Sequence, residues 1–127
     1  MAIIGLMLGG ALGTLARYLV TLASQSLLTS SFPLGTILVN VIGCYLIALL
    51  TGLRHGGLLP PAWYFTLGTG FLGAFTTFST FALEGHALGQ EGAWNRCALY
   101  VLANLVLGYF ALILGRATAA RLGAGAP

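Results

Sequence analysis

The chain is 127 residues long, and five arginines and two glutamates are its only formally charged side chains, 6% of the total beside 58% hydrophobic residues. Soluble domains carry roughly 25% charged residues, and a mean hydropathy of +0.98 leaves too little polar surface to keep a chain of this size dispersed in water. An ordinary soluble domain, a disordered chain and a nucleic-acid binder are thereby excluded; the pI of 9.2 rests on scattered Arg17, Arg54, Arg96, Arg116 and Arg121, with no basic cluster.

A spanning helix needs about 20 mostly apolar residues. The charge-free stretches predict four, over residues 2–23, 34–53, 62–88 and 95–118. The first has no charged start and carries Arg17 late, so it reads as a retained span and not a signal peptide. Gly5, Gly9 and Gly13 recur at four-residue spacing and make a face for close helix packing. Arg17 lies one to two turns inside the end, where it either snorkels to the interface or lines a wet vestibule and attracts anions. Residues 24–33 (SQSLLTSSFP) are a polar run ending in proline, hence a loop. In the second span Asn40 sits nearly two turns in; its amide either joins two helices or donates to a dehydrated anion. Gly43, one turn on, leaves room on that face. Residues 54–61 (RHGGLLPP) form the second loop.

The third span holds the unusual segment, GFLGAFTTFSTF over residues 70–81. Thr76, Thr77, Ser79 and Thr80 cluster near mid-span, after Gly70 and Gly73. β-branching, glycine and hydroxyls that compete for backbone bonds make a poor helix interior. A broken helix is expected; the alternative is an intact one whose hydroxyls bond back to carbonyls four residues earlier. Groups freed at membrane depth must be buried or line a cavity, and freed carbonyls suit a small hard cation such as Na⁺. Phe75, Phe78 and Phe81 share a face at helical spacing. Their rings are core or lipid-facing, or present positive edges to an anion. Glu84, one turn after Thr80, reads as a proton-coupling carboxylate, an ion-pair partner or an interfacial residue. Residues 89–95 (GQEGAWN) form the third loop. In the fourth span Tyr100, Asn104 and Gly108 lie on one face, as a second polar track or as helix–helix glue. Cys44 and Cys97 fall within spans and read as small buried hydrophobes. The tail from residue 123 is expected to fray.

With such short loops, residues 1–127 read as a single transmembrane domain. No nucleophile–base pair, phosphate loop or HExxH motif marks an enzyme. Four helices barely enclose a polar pathway, which points to an oligomer. An even number of spans puts Arg54, Arg116 and Arg121 on one side and Arg17 and Arg96 on the other, a weak bias. Dual topology with an antiparallel homodimer follows; the alternative is a fixed orientation set by Arg116 and Arg121.

These residues resemble the Fluc/CrcB family of fluoride ion channels. The resemblance covers essentially the whole chain and is carried by GGALGTLARY (residues 9–18), PLGTILVNVIG (33–43) and GFLGAFTTFSTFALE (70–84). It implies an all-α integral membrane fold with four transmembrane helices per chain, the third broken, in a dual-topology antiparallel homodimer with two pores. It implies passive fluoride export across the cell (inner or plasma) membrane, which lowers fluoride toxicity. Phe78 and Phe81 match the phenylalanines whose ring edges line the fluoride path, and Asn40 matches the pore asparagine. Thr77, Ser79 and Thr80 complete the break beside that path. Gly73 and Thr76 match positions whose backbone carbonyls, from both subunits, hold a central structural Na⁺; no organic cofactor is implied. Arg17 matches the vestibule arginine, and Glu84 and Tyr100 the outer polar track. The implied partners are fluoride, lipid and a second copy of the chain. Ala74 departs from the family's second glycine, and Asn104 and Gly108 stand in place of serine-type hydroxyls. Two rivals are a proton-coupled small multidrug-type exporter, for which Glu84 is the one carboxylate, and a non-transporting assembly factor.

Overall fold

The computed structural model describes residues 2–27 and 32–123, which are helical apart from short turns. Helix α1 is Ala2–Leu27 and α2 is Leu34–His55. A composite rod over residues 61–75, α3, starts with one α-turn at Pro61–Tyr64, continues as a π-helix over Phe65–Leu72 and closes with Gly73–Phe75. After a break come α4, Phe78–Gln90, and α5, Trp94–Arg121.

Among the described residues three helices are long and apolar enough to cross a membrane, over Ile3–Ser26, Leu34–His55 and Trp94–Arg121. Neither α3 nor α4 is long enough alone: the 13 residues of α4 rise only about 20 Å, against a hydrocarbon core of about 30 Å.

The boundaries correct the sequence reading in places. Helix α1 runs four residues past the expected end at 23, because its serines turn inward on the backbone. Ser24 Oγ donates to the Thr21 carbonyl at 2.7 Å and Ser26 Oγ to Ala23 at 3.0 Å. Of the first expected loop, residues 28–31 lie outside the described residues, as does the tail beyond 123. The third loop shrinks to residues 91–93, with Gly92 at φ +72°. Pro61 opens α3 at its first position, where its missing N–H is no loss.

Two seams hold the helices together. Helices α2 and α5 pack along their lengths, with Gly108 against Cys44 and Gly115 against the Tyr45 carbonyl. Helix α1 packs on α3 through the glycine face read from the sequence: a Cβ at Gly9 would strike the Thr66 carbonyl, and one at Gly13 the Phe71 carbonyl. The core has two parts, Val39 with Leu72 and Phe75, and Ile37 with Leu88 and Tyr100. The outer faces of α1 and α5 are apolar, with Met7, Leu12, Leu105 and Phe110 all exposed, as a lipid-facing surface requires.

Candidate functional site

The break falls where the hydroxyls cluster. Thr76 (φ −83°, ψ 160°) and Thr77 (φ −151°, ψ 119°) are both extended. Thr76 Oγ1 still bonds back to the Leu72 carbonyl at 3.0 Å, the contact expected of an intact helix, yet the helix ends there. Thr77 then caps α4, its Oγ1 accepting the Thr80 N–H at 3.2 Å and donating to Thr80 Oγ1 at 3.0 Å. Ser79 Oγ lies 3.4 Å from the same hydroxyl.

Asn40 bridges the gap from α2. Its Oδ1 accepts the Thr77 N–H at 2.9 Å, and its Nδ2 donates to the Thr77 carbonyl at 3.2 Å and to Asn104 Oδ1 at 3.0 Å. The clamp satisfies a backbone N–H and a backbone C=O that the break would otherwise strand. Gly43 does not leave the expected room beside Asn40, because the Thr76 methyl fills it. Asn104, buried on α5, donates from Nδ2 to the Tyr100 carbonyl at 3.0 Å.

Two of the carbonyls at the break lose their helical donor to a side chain. The Thr77 N–H that would reach Gly73 goes to Asn40, and the Thr80 N–H that would reach Thr76 goes to Thr77 Oγ1. Such oxygens are suited to a small hard cation, but two fall short of the roughly six it takes. Gly73 faces open space: a Cβ there would meet nothing within 4 Å.

The three phenylalanines do not share a face, because the break separates them. Phe75 is buried and stacks on Phe71 at 5.7 Å, whereas Phe78 is 79% exposed. Beyond the break runs an aromatic ladder. Phe78 and Phe81 have ring centroids 5.7 Å apart, Phe81 and Tyr100 5.5 Å, and Tyr100 and Phe32 6.0 Å. Tyr100 is fully buried, and its hydroxyl donates to Glu84 Oε2 at 2.6 Å. An open cavity of about 470 Å³ is lined by Asn40, Gly73, Thr76, Phe78, Phe81 and Asn104. A second, of about 320 Å³, is lined by Thr21, Ser24, Gln25, Thr36, Glu84 and Glu91. Tyr100 touches Phe81, which lines the first, and Glu84, which lines the second.

Arg17 joins neither cavity. It is half-buried on α1, on the face that runs from Gly13 in the glycine seam to Thr21 and Ser24 at the polar cavity. Three members of the site were missed from sequence: Thr77 as a helix cap, Asn104 as the partner of Asn40, and Glu91 at the polar cavity. A threonine placed before an apolar helical run is a start signal, masked here by lying inside a span.

Residues 4–116 match the family described as CrcB-like protein, Camphor Resistance (CrcB). The chain is 46% identical over 115 residues to the fluoride-specific ion channel FluC of Maridesulfovibrio salexigens, covering 90% of each chain. It is 46% identical over 116 residues to the protein of the same name from Acidobacterium capsulatum, covering 91% of this chain and 93% of that one. With the protein of that name from Shewanella oneidensis it shares 43% identity over 109 residues, 86% and 88% of the two chains.

Proposed function

The chain belongs to the CrcB-like family, and from that premise we propose that it is a fluoride-selective channel, passing fluoride passively out of the cell across the inner membrane. It is a multi-pass membrane protein and not an enzyme. The observation that carries the reading is the ladder that starts at exposed Phe78, beside the clamped break, and ends at the Tyr100 hydroxyl on Glu84, 2.6 Å away.

Fluoride is small and strongly hydrated, so a path for it must replace its water with fixed donors. Positive ring edges of Phe78 and Phe81 supply part of that shell. The hydroxyls of Ser79 and Thr80 and the Asn40 amide supply proper hydrogen bonds, while the Tyr100 proton is held by Glu84. Chloride, larger and less demanding of donors, gains less from the same set in a narrow path. Arg17 raises the anion concentration at the vestibule, and Glu84 sets the far end of the track.

In this reading α3 and α4 together make the fourth span. Two copies associate antiparallel, which the weak arginine bias permits. A second copy would cover Phe78 and the open side of Gly73. It would also bring a second pair of Gly73 and Thr76 carbonyls, giving four of the roughly six oxygens a hard cation takes, for a structural Na⁺ held between the broken helices. When bound, that ion supplies a fixed positive charge that offsets repulsion between anions.

The test is efflux from proteoliposomes loaded with equal fluoride and chloride, each followed by its own electrode, with a K⁺ ionophore carrying the balancing charge. Ionophore-dependent fluoride release with chloride retained is the expected result. Equal release of both ions, or none of either from folded protein, overturns the reading.

A further inference from the structure

Asn40 owns two amide protons and one carbonyl oxygen, and all three are engaged within the chain. The orientation of the amide follows from its partners: the Thr77 N–H requires an acceptor, so Oδ1 must face it. The two bonds to Thr77 close a reciprocal ring over the break, and opening it would strand backbone groups at membrane depth. The third bond, Nδ2 to Asn104 Oδ1 at 3.0 Å, carries no such obligation. Asn104 is only 8% exposed, and its own Nδ2 is tied to the Tyr100 carbonyl at 3.0 Å, so its oxygen is held toward Asn40 by a fixed turn of α5. Both side chains line the 470 Å³ cavity, beside Phe78 and Phe81. As an acceptor, an amide oxygen is an analogue of an anion.

We propose that Asn104 is a positioning residue that acts as an internal competitor: its Oδ1 occupies the Asn40 amide proton that fluoride would take. Passage of the ion then exchanges one acceptor for the other, and the Thr77 clamp stays closed throughout. The inference rests on the channel reading. It gives a role to an asparagine at one of the two buried positions of α5, Asn104 and Gly108, where the resemblance implied a hydroxyl. A shorter side chain there would leave the Asn40 proton free and strengthen fluoride binding.

Fluoride efflux is measured against fluoride concentration for the parent chain, Asn104→Ser and Asn104→Ala. The half-saturating fluoride concentration should fall about fivefold in both variants, the equivalent of one neutral hydrogen bond, with chloride still retained. Damage to packing would raise that concentration or abolish flux, so a fall is a sign that a merely structural role does not produce. A second measurement uses the unaltered chain, ¹⁵N-labelled in nanodiscs and titrated with sodium fluoride. The side-chain amide signals of Asn40 and Asn104 should shift together, and sodium chloride should move neither. An unchanged or raised half-saturation in folded variants overturns the inference, as does a shift of Asn40 with Asn104 still; in both cases the channel reading stands. A parent chain that passes no fluoride overturns both.

Discussion

Two helix contacts in this molecule are built from opposite kinds of residue. Where α1 meets α3, Gly9 and Gly13 bring backbone against the backbone of Thr66 and Phe71, and Gly5 receives the Thr66 side chain. Where α2 meets α4 and α5, Asn40, Thr77, Asn104, Tyr100 and Glu84 form a chain of hydrogen bonds. The first contact uses small residues to gain van der Waals packing, which is what holds helices together in lipid. The second uses polar groups to repair a backbone that has been opened. Packing alone leaves nothing for an ion to touch; a repaired break leaves donors and acceptors at membrane depth.

Breaking the packed contact should have the largest effect. In Gly13→Val the new Cβ lands on the Phe71 carbonyl, and backbone cannot give way as a flexible side chain does. No monodisperse protein should be recovered by size-exclusion chromatography in detergent. Gly10→Val is the control, since a Cβ there meets only the Gly70 carbonyl at 3.9 Å, and it should behave as the parent.

Breaking the polar contact should be milder for the fold and severe for transport. Asn40→Leu keeps the branched shape but strands the Thr77 N–H and C=O, each costing about 1–3 kcal/mol. The thermal melt should shift down while folded protein survives at low temperature, with fluoride efflux reduced to the rate of empty vesicles. A melt equal to the parent's would show that the clamp is not holding the break.

The smallest effect tests how far the polar side extends. Glu91, the residue that caps the C-terminus of α4, lines the same cavity as Glu84 about two helical turns further on. That is about 10 Å, roughly one Debye length at 0.1 M salt. Glu91→Gln should raise fluoride efflux about twofold at low ionic strength, and the difference should vanish near 1 M salt. A difference that persists at high salt would mean a contact effect and not a field.

Much of this was legible in advance, for reasons that differ by region. The long helices follow from charge-free stretches, and the glycine seam from a spacing of four. The break follows from hydroxyls crowded into residues 76–80, whose local chemistry outweighs helix propensity. What was not legible needs information that a window of sequence lacks. The pairing of Asn40 with Asn104 joins residues 64 apart. Phe75 kept the spacing of Phe78 and Phe81 and still went into the core, because a helical period has no meaning across a break. The extra length of α1 came from Ser24 and Ser26, polar by composition but satisfied within their own turn. The π-helix over Phe65–Leu72 left no signal, since eight residues are too few to separate its period from 3.6.

That π segment governs which length changes the chain tolerates. FTLGTGFL is small and bland, the kind of stretch in which loss of one residue would look harmless. A π-helix takes up an extra residue in its wider turns, so a segment shortened by one can rewind as an α-helix with its flanks near their present register. A residue lost from the α-helical part of α2 or α5 meets no such reserve, and everything after it would arrive rotated by about 100°. Single-residue deletions should therefore be better absorbed in residues 65–72 than in the α-helices around them, which a deletion scan checks.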